Sequence, residues 1–296
     1  MATETGPRRP APVFPRGARP TPGRVTAVIV LLLGTVACLM PFIYMLSTSL
    51  KTVGETITRV NPFPGSPDFW PAVPQWNNYV QAWTEASFSL FFRNSVITAA
   101  LTVAGVMVTS SLAAYAFAKI RFAGSKQLFA VFLATLIIPD SVYLIPNFIT
   151  ITRFGWYDTL AGLTVPFMAS AFYIFLLRQF FTQLPNELLE SARIDGAGHQ
   201  RSFLSIALPL SGAPLFTVAF LAFVGSWNSL QWPLVATRSS RWRPITVGLT
   251  MFITEAGPQN QLRMAGAVIA VVPVVLLYFL AQRQFTEAIA RSGIKG

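Results

Sequence analysis

Along the chain, apolar residues gather into blocks of about twenty with few charges inside them. They do not recur every third or fourth position, as they would on the buried stripe of a water-soluble helix. Blocks at residues 25–46, 95–118, 127–150, 160–181, 203–225 and 264–281 predict about six helices able to cross a bilayer core. Prolines, glycines and charges collect between the blocks. Residues 1–24, rich in Pro, Gly and Arg, hold too little apolar surface to offset the entropy of ordering, which predicts a disordered basic cytoplasmic tail. Its arginines precede the first block as in a signal peptide. That block is long for one, however, and no small-x-small cleavage site precedes Lys51, so the reading is an uncleaved first span. Residues 50–93 mix Pro62, Pro64, Pro67, Pro71 and Pro74 with Trp70, Trp76, Tyr79 and Trp83, aromatics that favour the membrane–water boundary. They predict an extracytoplasmic segment with an interfacial helix near residues 76–88, and residues 25–296 as a whole read as one transmembrane domain.

Composition sharpens this picture. Of 296 residues, 53% are hydrophobic and 11% charged, against about 25% charged in an average soluble domain; so few charges cannot cover a globule in water. The net charge of +11 could mean nucleic acid, an anionic surface or topology. The basic residues flank the apolar blocks and form no stripe interleaved with exposed aromatics, which points to topology and away from nucleic acid. With the N-terminus inside, 14 Lys and Arg side chains fall inside and 8 outside, or 9 against 8 without the tail arginines, so the predicted orientation is N-in, C-in. The single cysteine, Cys38, excludes an internal disulfide and a Cys-based metal site. No G-x-x-x-x-G-K-[ST] run is present, so a transport process driven by ATP would need another chain to hydrolyse it.

Between the fourth and fifth blocks, residues 185–198 carry their own helix punctuation. Pro185 suits the first helical position, Glu187 the positive end of the helix dipole and Gly196 a C-terminal cap. Ser191 and Ala192 are small enough to let such a helix sit closely against a partner.

Glu190-Ser191-Ala192, Gly196 and Ile206-Ala207-Leu208-Pro209 follow the pattern E-A-A-x3-G-x9-I-x-L-P, with Ser191 in place of the second alanine. In this the chain resembles the smaller permease subunit of carbohydrate-uptake ABC importers of the maltose and glycerol-phosphate type. Ser49-Leu50-Lys51, Asn94-Ser95, Ala114-Tyr115-Ala116-Phe117-Ala118, Trp227-Asn228 and Trp232-Pro233-Leu234 extend the likeness, as does the ending Ser292-Gly293-Ile294-Lys295-Gly296. Ser229 departs from the acidic residue common after Trp-Asn, and Ser292, Gly293 and Ile294 replace Gly, Ala and Val.

The resemblance implies an all-α integral membrane protein of the type I ABC importer permease fold, multi-pass in a bacterial-type inner membrane. It implies a second homologous permease, two ATPase subunits that bind ATP and Mg, an extracytoplasmic solute-binding protein, and no cofactor on this chain. The solute class is a sugar, an oligosaccharide or a related polyol or glycerol-phosphate solute. The loop becomes a coupling helix seated in a cleft of the ATPase, a role carried onto Glu190, Ser191, Ala192, Asp195, Gly196 and Ala197. Gly293, Lys295 and Gly296 become a C-terminal ATPase contact. An ion-coupled secondary transporter and a polytopic membrane enzyme are the alternatives. The first would need several paired intramembrane charges, the second a cluster of His, Asp or Glu at one membrane face.

Other residues read less sharply. Asp140, next to Pro139 in the third block, either lines the translocation path or plays a structural or interfacial role. Trp227, Asn228 and Trp232 either face solute or, for the tryptophans, anchor at the interface. His199 reads as a partner-facing or capping residue, and Arg178 as an anchor snorkelling outward to headgroups.

Overall fold

The computed structural model describes residues 22–58, 63–84, 87–252 and 259–292, and every regular element among them is a helix. Two compact units are distinguished, Met1–Tyr44 and Met45–Gly296. Of the expected disordered tail, residues 1–21 lie outside the described residues. Helix α1, Pro22–Ser49, starts inside that tail. Through the first unit it is an apolar rod whose Val30, Leu31 and Leu33 side chains are exposed, as suits a helix solvated by lipid or by another subunit.

The second unit opens with two short helices, α2 (Val53–Thr58) and α3 (Asn77–Thr84), in the segment expected to be extracytoplasmic. It continues with the long α4, Phe88–Lys119, which begins seven residues before the predicted block. Ala99, Thr102, Val106, Ser110 and Ala114 are buried at helical spacing on α4. Small and β-branched side chains of this kind let helix backbones approach closely in a membrane, where exclusion from water no longer drives association. Against α4 pack α7 (Leu160–Thr164) with its 3-10 extension Val165–Phe167, α8 (Ala171–Gln183), α12 (Gly212–Trp227) and α14 (Ile245–Met251). Gly248 on α14 is required by this packing, because a Cβ there would lie 2.3 Å from the Phe91 ring.

By length and composition, three helices among the described residues can each cross a membrane, and up to six spans result if each bent pair counts as one. The pairs show that three of the apolar blocks are bent. α5 (Ser125–Thr135) and α6 (Asp140–Arg153) meet at 100°. The pair Leu160–Phe167 and Ala171–Gln183 meets at 44°. His199–Leu210 and Gly212–Trp227 meet at 81°. The last span lies in α15, Asn260–Ser292. Proline marks two of the breaks: Pro139 ends the α5–α6 elbow, and Pro209, with no N–H to donate, precedes the third break at Ser211.

Candidate functional site

The 185–198 segment folds into α9, Asn186–Ile194, one residue later than predicted, with Pro185 extended just before it. Its C-terminus explains the spacing of the motif. Ala197 N–H donates to Ala192 O at 2.8 Å and Gly196 N–H to Arg193 O at 3.0 Å. These are the two bonds of a Schellman cap, in which the residue after the cap adopts left-handed backbone. Gly196 does so, at φ 82°. The Ala-x3-Gly interval is therefore the distance from the third-last helical carbonyl to the left-handed residue. Ser191 keeps the fold intact because its hydroxyl turns back to Leu188 O at 3.1 Å.

The helix turns Leu189 inward and leaves Glu190, Ser191, Asp195 and Gly196 exposed. Ala192 and Ala197 are half-buried in the capped turn. Ile194 is 87% exposed, an apolar side chain offered to the outside beside two carboxylates. His199, exposed at the start of α10 (His199–Ser202), has Nδ1 3.5 Å from Arg193 Nη2, across the Schellman turn.

Two attachments connect this loop to the spans. The Lys119 ammonium, at the end of α4, donates to Leu184 O at 2.7 Å and to Asn186 Oδ1 at 2.8 Å, gripping the start of α9. On the other side, α10 runs into a π-helical turn, Phe203–Ala207, and then α11, Leu208–Leu210. Phe203 is buried there between Tyr115 of α4 and Phe181 of α8, with ring centroids 5.1 and 6.5 Å away. Arg178 corrects its predicted role. Instead of snorkelling outward it donates from Nε to Phe117 O at 3.3 Å and lies 4.1 Å over the Phe129 ring, joining α8 to α4 and α5. Neither Lys119 nor Arg178 had a sequence signal for this, since the partners are a backbone carbonyl and a ring on distant elements.

At the other end of the spans the structure separates the remaining candidates. Trp227 is 3% exposed and its indole N–H donates to Ala270 O at 3.0 Å, with Phe92 and Phe223 against its ring. It is a packing residue of the chain, neither an exposed anchor nor a solute-facing plane. Trp232 is spent likewise, on Gly162 O at 3.1 Å. Asn228 is exposed just past the end of α12. Asp140 is exposed in the first turn of α6, just past the elbow. Gly293, Lys295 and Gly296 lie outside the described residues.

Two motifs from the sequence are stitches. Asn94 Nδ2 donates to Arg241 O and Arg243 O, at 2.9 and 3.0 Å, while Ser95 Oγ accepts from Ile245 N–H at 2.7 Å, binding the 238–245 segment to α4. In Ser49-Leu50-Lys51, the Asn78 side chain donates to Ser49 O and Lys51 O, and Lys51 Nζ to Asp68 O. Asp158, which the sequence reading missed, has left-handed backbone at φ 57°. Its carboxylate accepts from the N–H groups of Arg238 and Ser239 at 3.1 and 3.2 Å. Burial opposes its ionisation, but the Ser239 side chain, those two N–H groups and the Arg243 guanidinium outweigh it and hold the carboxyl below its usual range. No group of three or more His, Cys, Asp or Glu able to hold a metal occurs among the described residues. What the site offers is an attachable, exposed, rigidly capped helix.

Residues 105–291 match the model of a family described as binding-protein-dependent transport system inner membrane component. The chain is 32% identical to the diacetylchitobiose uptake system permease protein NgcG of Streptomyces coelicolor, over 88% of its own length and 85% of the relative's. It is 33% identical to the sn-glycerol-3-phosphate transport system permease protein UgpE of Yersinia enterocolitica, over 89% and 95%. With the arabinooligosaccharides transport system permease protein AraQ of Halalkalibacterium halodurans it shares 32% identity, over 77% and 82%. In fold it superposes on a chain of a bacterial ABC transporter involved in the import of the acidic polysaccharide alginate, with a TM-score of 0.78 at 23% identity, covering 92% of this chain and 99% of that one.

Proposed function

We propose, from the premise that this chain belongs to the family of binding-protein-dependent transport system inner membrane components, that it is a permease subunit that couples ATP hydrolysis on separate subunits to uptake of a sugar, oligosaccharide or related polyol or glycerol-phosphate solute. The relatives named for diacetylchitobiose, glycerol 3-phosphate and arabinooligosaccharides support that solute class. In this reading the chain pairs with a second, homologous permease, receives solute from an extracytoplasmic binding protein and rests on two ATPase subunits that hold ATP and Mg.

The observation that carries the reading is α9. A helix with Glu190, Ile194 and Asp195 exposed, a glycine cap at Gly196, a lysine clamp at one end and an aromatic wedge at the other is a lever. Its task is mechanical. Closure of the ATPase pair on nucleotide displaces α9, and the displacement reaches α4 through Lys119 and α12 through Phe203 and the break at Ser211. The 3-10, π and proline-marked breaks supply joints at which packed spans can rock between inward-open and outward-open arrangements.

Gly196→Val tests this directly. Left-handed backbone costs an ordinary L-residue about 1–2 kcal/mol, and no neighbouring atom within 4 Å fills the space at Gly196, so the damage stays local to the cap. The variant is expected to insert normally and to lose ATP-driven uptake or ATPase association. Gly196→Asn, which tolerates left-handed backbone, is expected to retain much of both. Uptake and co-purification at parental level in Gly196→Val would refute the coupling role.

A further inference from the structure

Of the 11 Asp and Glu in the sequence, Asp140 is the one carried by a candidate membrane span among the described residues. Its carboxylate makes no hydrogen bond or ion pair with any described residue. It follows the 100° elbow at residues 136–139, where Ile137 is 83% exposed and Pro139 has no N–H. Two physical constraints meet there. Irregular backbone at membrane depth is tolerated only where protein buries it or water fills a cavity beside it, and an ionised carboxylate facing lipid is costly without a partner. Neither constraint is met by this chain alone, since the elbow is exposed and the carboxylate has no cation within the described residues. Neighbouring Leu136, Ile137, Ile138 and Val142 are apolar and exposed, so they offer it nothing either. Beyond the adjacent, exposed Ser141, polar groups come one and two turns later: half-buried Tyr143, whose hydroxyl lies 3.5 Å from Thr135 O across the elbow, and half-buried Asn147.

Building on the permease reading above, we propose that Asp140 lines the water-filled solute path and acts as its charge filter. The carboxylate accepts hydrogen bonds from the hydroxyls of a neutral polyol or sugar and repels phosphate esters and uronates. Its place in the first turn of α6 reinforces this, because the carboxylate occupies the positive pole of that helix, which would otherwise favour an anionic solute. The filter narrows the solute class of this subunit to neutral, hydroxyl-rich molecules.

The test uses the assembled importer in membranes, with Cys38→Ala as background and Ser141→Cys beside the carboxylate; Val142→Cys replaces it if Ser141→Cys does not assemble. Thiol modification is timed with a cationic trimethylammonium-ethyl and an anionic sulfonato-ethyl methanethiosulfonate, without nucleotide and after trapping with ATP and vanadate. In at least one state both reagents should react. The cation-to-anion rate ratio should exceed that of the matching Asp140→Asn variant by about tenfold, the Coulomb difference between opposite charges passing a few ångströms from a solvated carboxylate. An unreactive thiol in both states, or an equal ratio with and without the charge, in a complex that hydrolyses ATP overturns the filter and leaves the permease reading standing. A chain that purifies with no ATPase subunit overturns both.

Discussion

Single residues decide where this chain is rigid. Asp158 shows how: its left-handed backbone and two backbone N–H bonds tie the loop after α6 to the segment after α13 (Gln231–Ala236). Because its folded pKa lies below the ordinary value of about 3.9, the charged form is favoured in the folded state. The resulting stability is present above the ordinary carboxylate pKa and is lost as pH falls through the lowered folded value. Asp158→Asn keeps an acceptor and tolerates left-handed backbone but removes the charge. We expect thermal unfolding in detergent to show this variant less stable than the parent at pH 7, by about 1 kcal/mol or less for a half-buried group still screened by solvent. The gap should close as the pH is lowered through the carboxylate range; a gap independent of pH would mean that the charge does not contribute. Nothing in the sequence distinguished Asp158, since its partners are N–H groups about eighty residues away.

At the scale of elements, the lever depends on its attachments. Lys119→Met keeps the apolar stem but removes the donors that hold Leu184 O and Asn186 Oδ1, bonds to a charged group each worth about 1.5–3 kcal/mol. The outer surface of α9 is untouched. The ATPase should therefore still associate and hydrolyse ATP, while solute moved per ATP in proteoliposomes falls, with partial recovery in Lys119→Arg. An unchanged ratio would show that α9 transmits force by another route. The elements themselves were largely legible in the sequence. Six apolar blocks gave the spans, and Glu187 and Gly196 gave α9, because charge at a helix start and glycine at a helix end have local causes. The size of the breaks was not legible, although Pro139 and Pro146 marked the third block as irregular. Residues 136–139 are as apolar as their flanks, so hydropathy runs through the 100° turn without a mark, and Pro139 alone did not reveal a bend of that size. Trp227 was misread for a related reason: a tryptophan near a block end looks interfacial, and only the fold shows its N–H donating to Ala270 O.

For the whole molecule, the family membership and the apolar helices place this chain in the inner membrane, while the fold supplies joints, stitches and one exposed lever. The relatives it matches are transport permeases, and the work proposed for this subunit is movement. The most direct measurement is site-directed cross-linking of Ile194→Cys, in a Cys38→Ala background, within membranes that also contain the co-expressed ATPase subunit. A short thiol cross-linker is expected to join the two chains, with a yield that changes when ATP and vanadate are added and with protection of the thiol from a water-soluble maleimide. A thiol that reacts with the maleimide equally fast with and without the ATPase, and that forms no adduct in any nucleotide state, would contradict the account.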